Sequence, residues 1–305
     1  SFKKQFGQNF ITDTNLLKSI VAAAGVGKED TVLEIGCGAG TLTRELAAAA
    51  RRVVSYEIDQ KLQPVLAETL AGCDNAEVVF RDFLREDMQE LERALPPYSV
   101  VANLPYYITS PLVMKFIEES EKAKKLVIMV QDDVAQRFCA AAGTPEYGAI
   151  TAAIARRAKA EIVKYVPRQM FTPVPNVDSA VIMLTFVKDK IPVKSAKCYR
   201  DTVRAAFLSR RKTLENNLMN AFRLTREDAA ALLRRAEIPD KARGETLSPE
   251  QLARLSDLIF EMKNGKPAPA HTCARAQLFS YRRLLSDQSL ARPFGNGYFY
   301  DLRQR

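Results

Sequence analysis

Asn103, Leu104, Pro105 and Tyr106 put an acceptor, a restrained backbone and an aromatic ring into four consecutive positions. An Asn side-chain oxygen accepts a hydrogen bond from an amine. A residue before Pro is pushed toward an extended backbone, so the Leu104 carbonyl can turn outward as a second acceptor. A Tyr ring offers a face on which a nucleobase stacks, typically worth about 1–3 kcal/mol per base. Together these groups suit the exocyclic amine of an adenine. Read without its neighbours, the stretch fits equally well a strand that leaves its sheet through a Pro turn over a packed Tyr.

Other residues shift that balance. Residues 32–40 (VLEIGCGAG) read as a strand running into a glycine turn and then a helix. Glycine lets the backbone turn tightly and approach a ligand closely. The spacing at Gly36, Gly38 and Gly40 is G-x-G-x-G, with Thr41 where the third glycine of a dinucleotide fingerprint belongs, which weakens a nicotinamide reading. Glu57 ends the next strand about twenty residues on, placed to bind ribose hydroxyls. Asp82 follows the third strand, placed to accept from an adenine amino group. A glycine loop alone is a weak signal, but a loop and two acids at successive strand ends are a strong one. Glu34, inside the first strand, reads as a buried structural acid, Cys37 as a small packing residue and Tyr107 as a core ring.

These groups need a sheet to position them. Strand-like runs lie at 31–35, 52–57, 76–80, 98–102, 126–130, 161–166 and 179–186, with helical patterns at 42–50, 61–70, 88–95 and 112–119. Such alternation implies an α/β fold with a mostly parallel, doubly wound, Rossmann-like sheet. The last two strands are joined by the Pro-rich stretch 167–175, too short for a crossover helix, so an antiparallel hairpin is expected at one edge. A helix at 14–24, capped by Asp13 and stopped by Gly25, precedes the sheet. After a charged linker, helices at about 198–208, 210–222, 225–236 and 248–262 form a smaller all-helical unit. The reading is thus a sheet domain at 1–187, a helical domain at 188–263 and a basic, disordered tail at 264–305.

Composition narrows the chemistry. The chain has 305 residues, is 47% apolar and carries a net charge of +9. A basic balance favours a polyanionic partner. The tail holds seven of the Lys/Arg residues against two Asp, so the argument rests on local clusters: Arg200, Arg204, Arg210, Arg211 and Lys212, and a second group at Arg156, Arg157 and Lys159. A single histidine, His271, leaves little room for a Ser-His-Asp triad or a His-ligated metal. Five scattered cysteines make no C-x-x-C pair and suit a reducing cytoplasm. No apolar run is long enough to span a bilayer. The chain opens without Met or the apolar core of a signal peptide, and is read as trimmed or partial.

The glycine loop, Glu57 and Asp82 resemble the S-adenosylmethionine-dependent methyltransferases. With residues 103–106 (NLPY) the resemblance narrows to enzymes that methylate the adenine amine. Residues 8–11 (QNFI), 106–112 (YYITSPL), 129–131 (MVQ), 171–180 (FTPVPNVDSA) and 210–214 (RRKTL) resemble the ribosomal RNA adenine dimethyltransferases, above all the group that dimethylates two adjacent adenosines in a hairpin near the 3′ end of small-subunit rRNA. The likeness covers about residues 3–262. It implies S-adenosylmethionine as cofactor, small-subunit rRNA or the assembling small subunit as partner, and a monomer. It implies that Asn9 and Ile11 cover the cofactor, with Ile11 where the family more often has Leu. It implies that Gly36 packs beneath the cofactor's methionine part, with Gly38 in the same loop, and that Glu57 holds its ribose and Asp82 its adenine. Asn103 is expected between cofactor and target base, with Leu104 as second acceptor and Tyr106 and Phe171 on either side of the base. Two other readings stand beside this one: the large-subunit rRNA adenine methyltransferases of antibiotic resistance, and non-catalytic nucleic-acid-binding relatives of the mitochondrial transcription factor type.

Overall fold

A computed structural model describes residues 10–11, 14–103, 106–172, 174–188 and 190–265. In chain order it runs β1 (Phe10–Ile11), α1 (Thr14–Ala24), β2 (Thr31–Ile35), α2 (Thr41–Ala49), β3 (Arg52–Glu57), α3 (Gln63–Thr69), β4 (Ala76–Phe80), α4 (Met88–Ala94), β5 (Tyr98–Asn103), α5 (Tyr106–Glu119) and β6 (Ala123–Gln131). There follow α6 (Asp132–Cys139), α7 (Ala149–Arg157), β7 (Ala158–Val166), β8 (Phe171–Thr172), β9 (Ser179–Phe186), α8 (Ala196–Ala206), α9 (Leu214–Phe222), α10 (Arg226–Arg235) and α11 (Pro249–Gly265).

The main sheet has the order β4-β3-β2-β5-β6-β9-β7. The pairs from β4 to β6 are parallel; β6–β9 and β9–β7 are antiparallel, so the expected hairpin does occupy an edge. Central strands are apolar on both faces because helices cover both. Side chains alternate between the faces. Leu33, Val54 and Val100 pack with Leu112, Phe116 and Ile154 of the helices on one side. Val32, Val53, Val101 and Val127 pack with Leu16, Ile20, Leu42 and Leu46 on the other.

Three departures from the sequence reading have plain causes. α5 begins at Tyr106 rather than 112 and carries Pro111 inside it, since one lost backbone donor is tolerated in a helix held by tertiary packing. α6 and α7 were not anticipated; α6 buries only Ala135 and Phe138 and opens on two Asp, which leaves little apolar periodicity to detect. α9 starts at 214 rather than 210, because the Thr213 side chain accepts from the Asn216 amide and caps it there; Ser195 and Thr225 cap α8 and α10 in the same way, within two residues of the expected starts.

Residues up to Phe260 pack as one compact unit, and the expected boundary at 187–188 lies inside it. Across that boundary the Tyr199 hydroxyl donates to the Ala152 carbonyl at 3.0 Å, and the Arg156 guanidinium sits 5.5 Å from the Tyr199 ring centre. The described part of the second unit, 261–265, completes α11. The tail from 266 on, together with Asn9, the Asp13 cap, Leu104 and Pro105, lies outside the described residues. Among the described residues no helix is long and apolar enough to cross a membrane, and no cluster of His, Cys, Asp and Glu is suited to a metal.

Candidate active site

In an open α/β sheet, ligands bind at the carboxyl ends of the strands, where connections diverge. Here β2 pairs with β3 on one side and β5 on the other, so Ile35 sits between Tyr56 and Ala102. That register brings the glycine loop, Glu57 and Asn103 to one rim, with Asp82 just beyond β4 on the same rim.

The loop is shaped by its glycines. Gly36, Gly38 and Gly40 have φ of 75°, 54° and 82°, a left-handed region costly for residues with a Cβ. At Gly40 a Cβ would also sit 2.9 Å from Leu66 Cδ2. The Gly36 amide donates to the Tyr56 carbonyl at 2.8 Å, stitching the loop to β3.

Glu57 is the hub. It is 3% exposed, and its Oε2 accepts from the Gly38 amide at 2.8 Å. Its Oε1 accepts from the amides of Ile58 and Asp59 at 2.8 and 2.9 Å. A carboxylate offers about four acceptor positions, so one is left for a ligand hydroxyl. The acid read as a sugar binder therefore first braces the glycine loop. Asp82, half-buried, caps the turn after β4 by accepting from the Leu84 amide at 3.0 Å, with Arg85 Nε 3.4 Å from its other oxygen. Next to Glu57 in the chain stands a residue the sequence reading passed over. Ile58 is 60% exposed, an apolar surface directly after Glu57 that suits the face of a flat ring. Its signal was an apolar residue set directly after a strand-end acid.

Asn103, half-buried, ends β5 opposite Met129. Tyr106 opens α5, and its side chain, like that of Ile11, is outside the described set. Two ring assignments change. Tyr107 is 47% exposed, not core, because the buried stripe of α5 runs through Thr109, Leu112, Val113, Phe116 and Ile117. Phe171, expected over the base, is 2% exposed. The ladder β1–β8 pairs Phe171 with Ile11, and the ring is packed in the cluster of Leu16, Leu17 and Leu42. In this conformation it anchors the Pro-rich loop. That loop is further clasped by Arg168, whose N and Nε both donate to Asp178 Oδ1 at 3.0 Å.

Two residues before Gly36, inside β2, lies Glu34, 1% exposed, with the Ser55 hydroxyl donating to its Oε2 at 2.6 Å. Its Oε1 and the buried Thr43 hydroxyl have no hydrogen-bond partner. Burial pushes the carboxyl up to about 7, helped by the nearby charge of Glu57 and opposed by the Ser55 hydroxyl. Burial likewise raises the Cys37 thiol far above its ordinary range, which fits a packing residue and not a nucleophile. From about pH 4.5 to pH 7 the folded chain holds a proton on Glu34 that the unfolded chain has released, so this group's contribution to stability falls as pH rises. Glu34→Gln should remove that slope. In thermal unfolding the variant should gain on the parent between about pH 5 and pH 8, by up to about 3 kcal/mol. A difference flat in pH would show that Glu34 titrates normally.

A family model described as ribosomal RNA adenine dimethylase matches residues 1–261. The chain belongs to the ribosomal RNA adenine dimethylase family. It is 45% identical over 270 residues to the ribosomal RNA small subunit methyltransferase A of Clostridioides difficile, covering 87% of this chain and 93% of that protein. It is 44% identical over 270 residues to the protein of the same name from Bacillus licheniformis, covering 86% and 92%. Among solved structures it resembles a dimethyladenosine transferase from Plasmodium falciparum, with a TM-score of 0.71, 25% identity, and 84% and 98% of the two chains covered. It also resembles the 23S rRNA methyltransferase ErmE, with a TM-score of 0.63, 31% identity, and 83% and 100% covered.

The ribosomal RNA adenine dimethylase family is of the S-adenosylmethionine-dependent methyltransferase type. The rim fits such a group: three glycines in the left-handed region, one remaining acceptor on Glu57, exposed Ile58 and half-buried Asp82. The basic residues divide by what they touch. Arg200 pairs with Glu118 at 2.8 Å, Arg157 with Glu121 at 3.3 Å and Lys159 with Glu161 at 4.0 Å. Arg210 Nη1 and Nη2 donate to the Pro145 and Tyr147 carbonyls at 3.1 and 2.9 Å. Arg204, Arg211 and Lys212 are exposed and, among the described residues, make no ion pair.

Proposed function

We propose that this chain transfers methyl groups to N6 of two adjacent adenosines in a 3′-terminal hairpin of small-subunit rRNA, dimethylating each during assembly of the subunit, as a cytoplasmic monomer. The observation that carries the reading is the placement of Asn103 at the end of β5, on the rim shared with the glycine loop, Glu57 and Asp82, in a chain of this family.

S-adenosylmethionine, when bound, supplies a methyl group on an already activated sulfonium. The Gly36 and Gly38 backbone and, across it, Asn9 and Ile11 would hold the methionine part. Glu57 would use its remaining acceptor on the ribose, Asp82 would accept from the cofactor's adenine amine, and Ile58 would lie against the ring.

The harder task lies with the acceptor, since the N6 lone pair of adenine is delocalised into its ring. Asn103 Oδ1 and the Leu104 carbonyl, each accepting one N6 proton, favour a pyramidal nitrogen and aim its lone pair. This is positioning and electrostatics, not proton abstraction by a strong base. Neutral Asn accepts without taking the proton before transfer, and water can remove it afterward. A monomethylated amine keeps one N–H, so one grip is released for the second transfer. Tyr106 supplies the stacking face. Phe171 is buried as it stands.

A base must leave its helix to reach such a rim, which favours loops of RNA. Phosphate contacts fall to the helical segment, where residues 188–263 hold 17 Lys/Arg against 11 Asp/Glu. The likeness to ErmE favours one competing substrate, large-subunit RNA. Primer extension on both rRNAs after incubation with cofactor separates the two. The account expects blocks at adjacent adenosines of the small-subunit RNA alone; blocks confined to the large-subunit RNA would replace it with the competing reading.

A further inference from the structure

The turn between α8 and α9, residues 209–213, carries the exposed pair Arg211 and Lys212, and it is pinned from three sides. From within, Asn217 is fully buried and its Nδ2 donates to the carbonyls of Ala206 and Ser209, both at 3.1 Å. These two acceptors fix the orientation of the amide, because the reverse would set Oδ1 against carbonyl oxygens. Oδ1 itself has no partner, so the side chain serves this spot through its donor end. From below, Gly244 lies so close that a Cβ there would be 2.2 Å from the Ala206 carbonyl oxygen, and the Leu214 amide donates to Ala242 at 2.8 Å. From the side, Arg210 grips the carbonyls of Pro145 and Tyr147, and the Tyr147 ring meets Phe207 edge-on at 5.7 Å.

A basic turn that only had to attract phosphate would not need a buried amide or a guanidinium spent on neutral carbonyls. A mobile loop must lose conformational entropy when it closes on a ligand, and an ordered one has lost it already. We propose that Asn217 and Arg210 are positioning residues that hold the 209–213 turn as a preformed platform from which Arg211 and Lys212 contact the phosphates of the RNA substrate. Arg210 thereby moves from the contact set to the scaffold. This inference rests on the reading of the chain as an RNA enzyme and adds to it a division of labour within one basic run.

The test measures binding of the full chain to the small-subunit 3′ hairpin RNA across a salt series, with S-adenosylmethionine affinity as the check on an intact rim. Arg211→Ala with Lys212→Ala should weaken RNA binding and flatten the salt dependence by about two phosphate contacts. Asn217→Leu keeps formal charge and the branching at Cγ, yet should weaken RNA binding about tenfold and flatten the slope by about one contact, with cofactor affinity unchanged. Arg210→Lys also keeps charge and lies at an exposed edge where folding survives; it loses the fork that holds two carbonyls and should act in the same direction. If Asn217→Leu does not fold, Arg210→Lys decides. Should the Arg211/Lys212 variant bind normally, the turn does not contact RNA and the inference falls with that part of the reading. Should it bind weakly while the positioning variants keep the parent slope, the inference alone is overturned.

Discussion

Asn103→Ala lowers methyl transfer to adenosine by a factor of about 10²–10³, while affinity for S-adenosylmethionine stays within about threefold. The split follows from where Asn103 sits. It ends β5, next to the glycine loop but apart from the Glu57 network that shapes that loop. Removing an acceptor that matters only when the N6 nitrogen changes shape lowers kcat and kcat/KM together and leaves ground-state binding alone. Single-turnover rates with saturating cofactor give the first number and calorimetry gives the second. A variant that transfers methyl at close to the parent rate contradicts the two-acceptor grip, whatever its affinity for RNA.

Glu57→Gln has the second largest expected effect, and it falls on the other side of the split. The carboxylate accepts from three backbone amides, those of Gly38, Ile58 and Asp59. In the amide variant one end becomes a donor and must face one of those N–H groups. Hydrogen bonds to a charged acceptor are worth about 1.5–3 kcal/mol, and an orphaned buried donor costs about 1–3 kcal/mol. Cofactor affinity should therefore fall about 10- to 100-fold and stability should drop with it, while kcat at saturating cofactor changes little. An affinity within twofold of the parent would show that the loop holds its shape without Glu57. Gly38 and Glu57 are nineteen positions apart in sequence, and nothing in the spacing of a strand-end acid announces that it serves its own backbone before a ligand.

What could be read in advance was the rim. Strand–helix alternation makes the parallel order and its carboxyl edge a consequence of chain connectivity, so the glycine loop, Glu57, Asp82 and Asn103 could be placed together from their positions at strand ends. What could not be read was whatever depends on distant pairing. The resemblance puts Phe171 beside the base; its burial goes with a two-residue ladder to Phe10–Ile11, too short to leave a periodic trace. Tyr107 reads as a core ring, but α5 begins at Tyr106 and turns that ring outward. Arg210 looked like its neighbour Arg211; only the approach of the carbonyls at Pro145 and Tyr147 tells them apart. Charge can be counted along a chain, but what each charge faces cannot.

The central claim is chemical: methyl groups arrive on the exocyclic nitrogen of adenosine. Mass spectrometry of nucleosides and of sequenced fragments, from unmodified small-subunit RNA incubated with the full chain and S-adenosylmethionine, reads that directly. The account predicts N6,N6-dimethyladenosine at two neighbouring positions of the 3′-terminal hairpin, and none with Asn103→Ala at matched turnover time. RNA that binds the chain yet returns with no methylated adenosine, or with methyl on a ring nitrogen or the ribose, contradicts it.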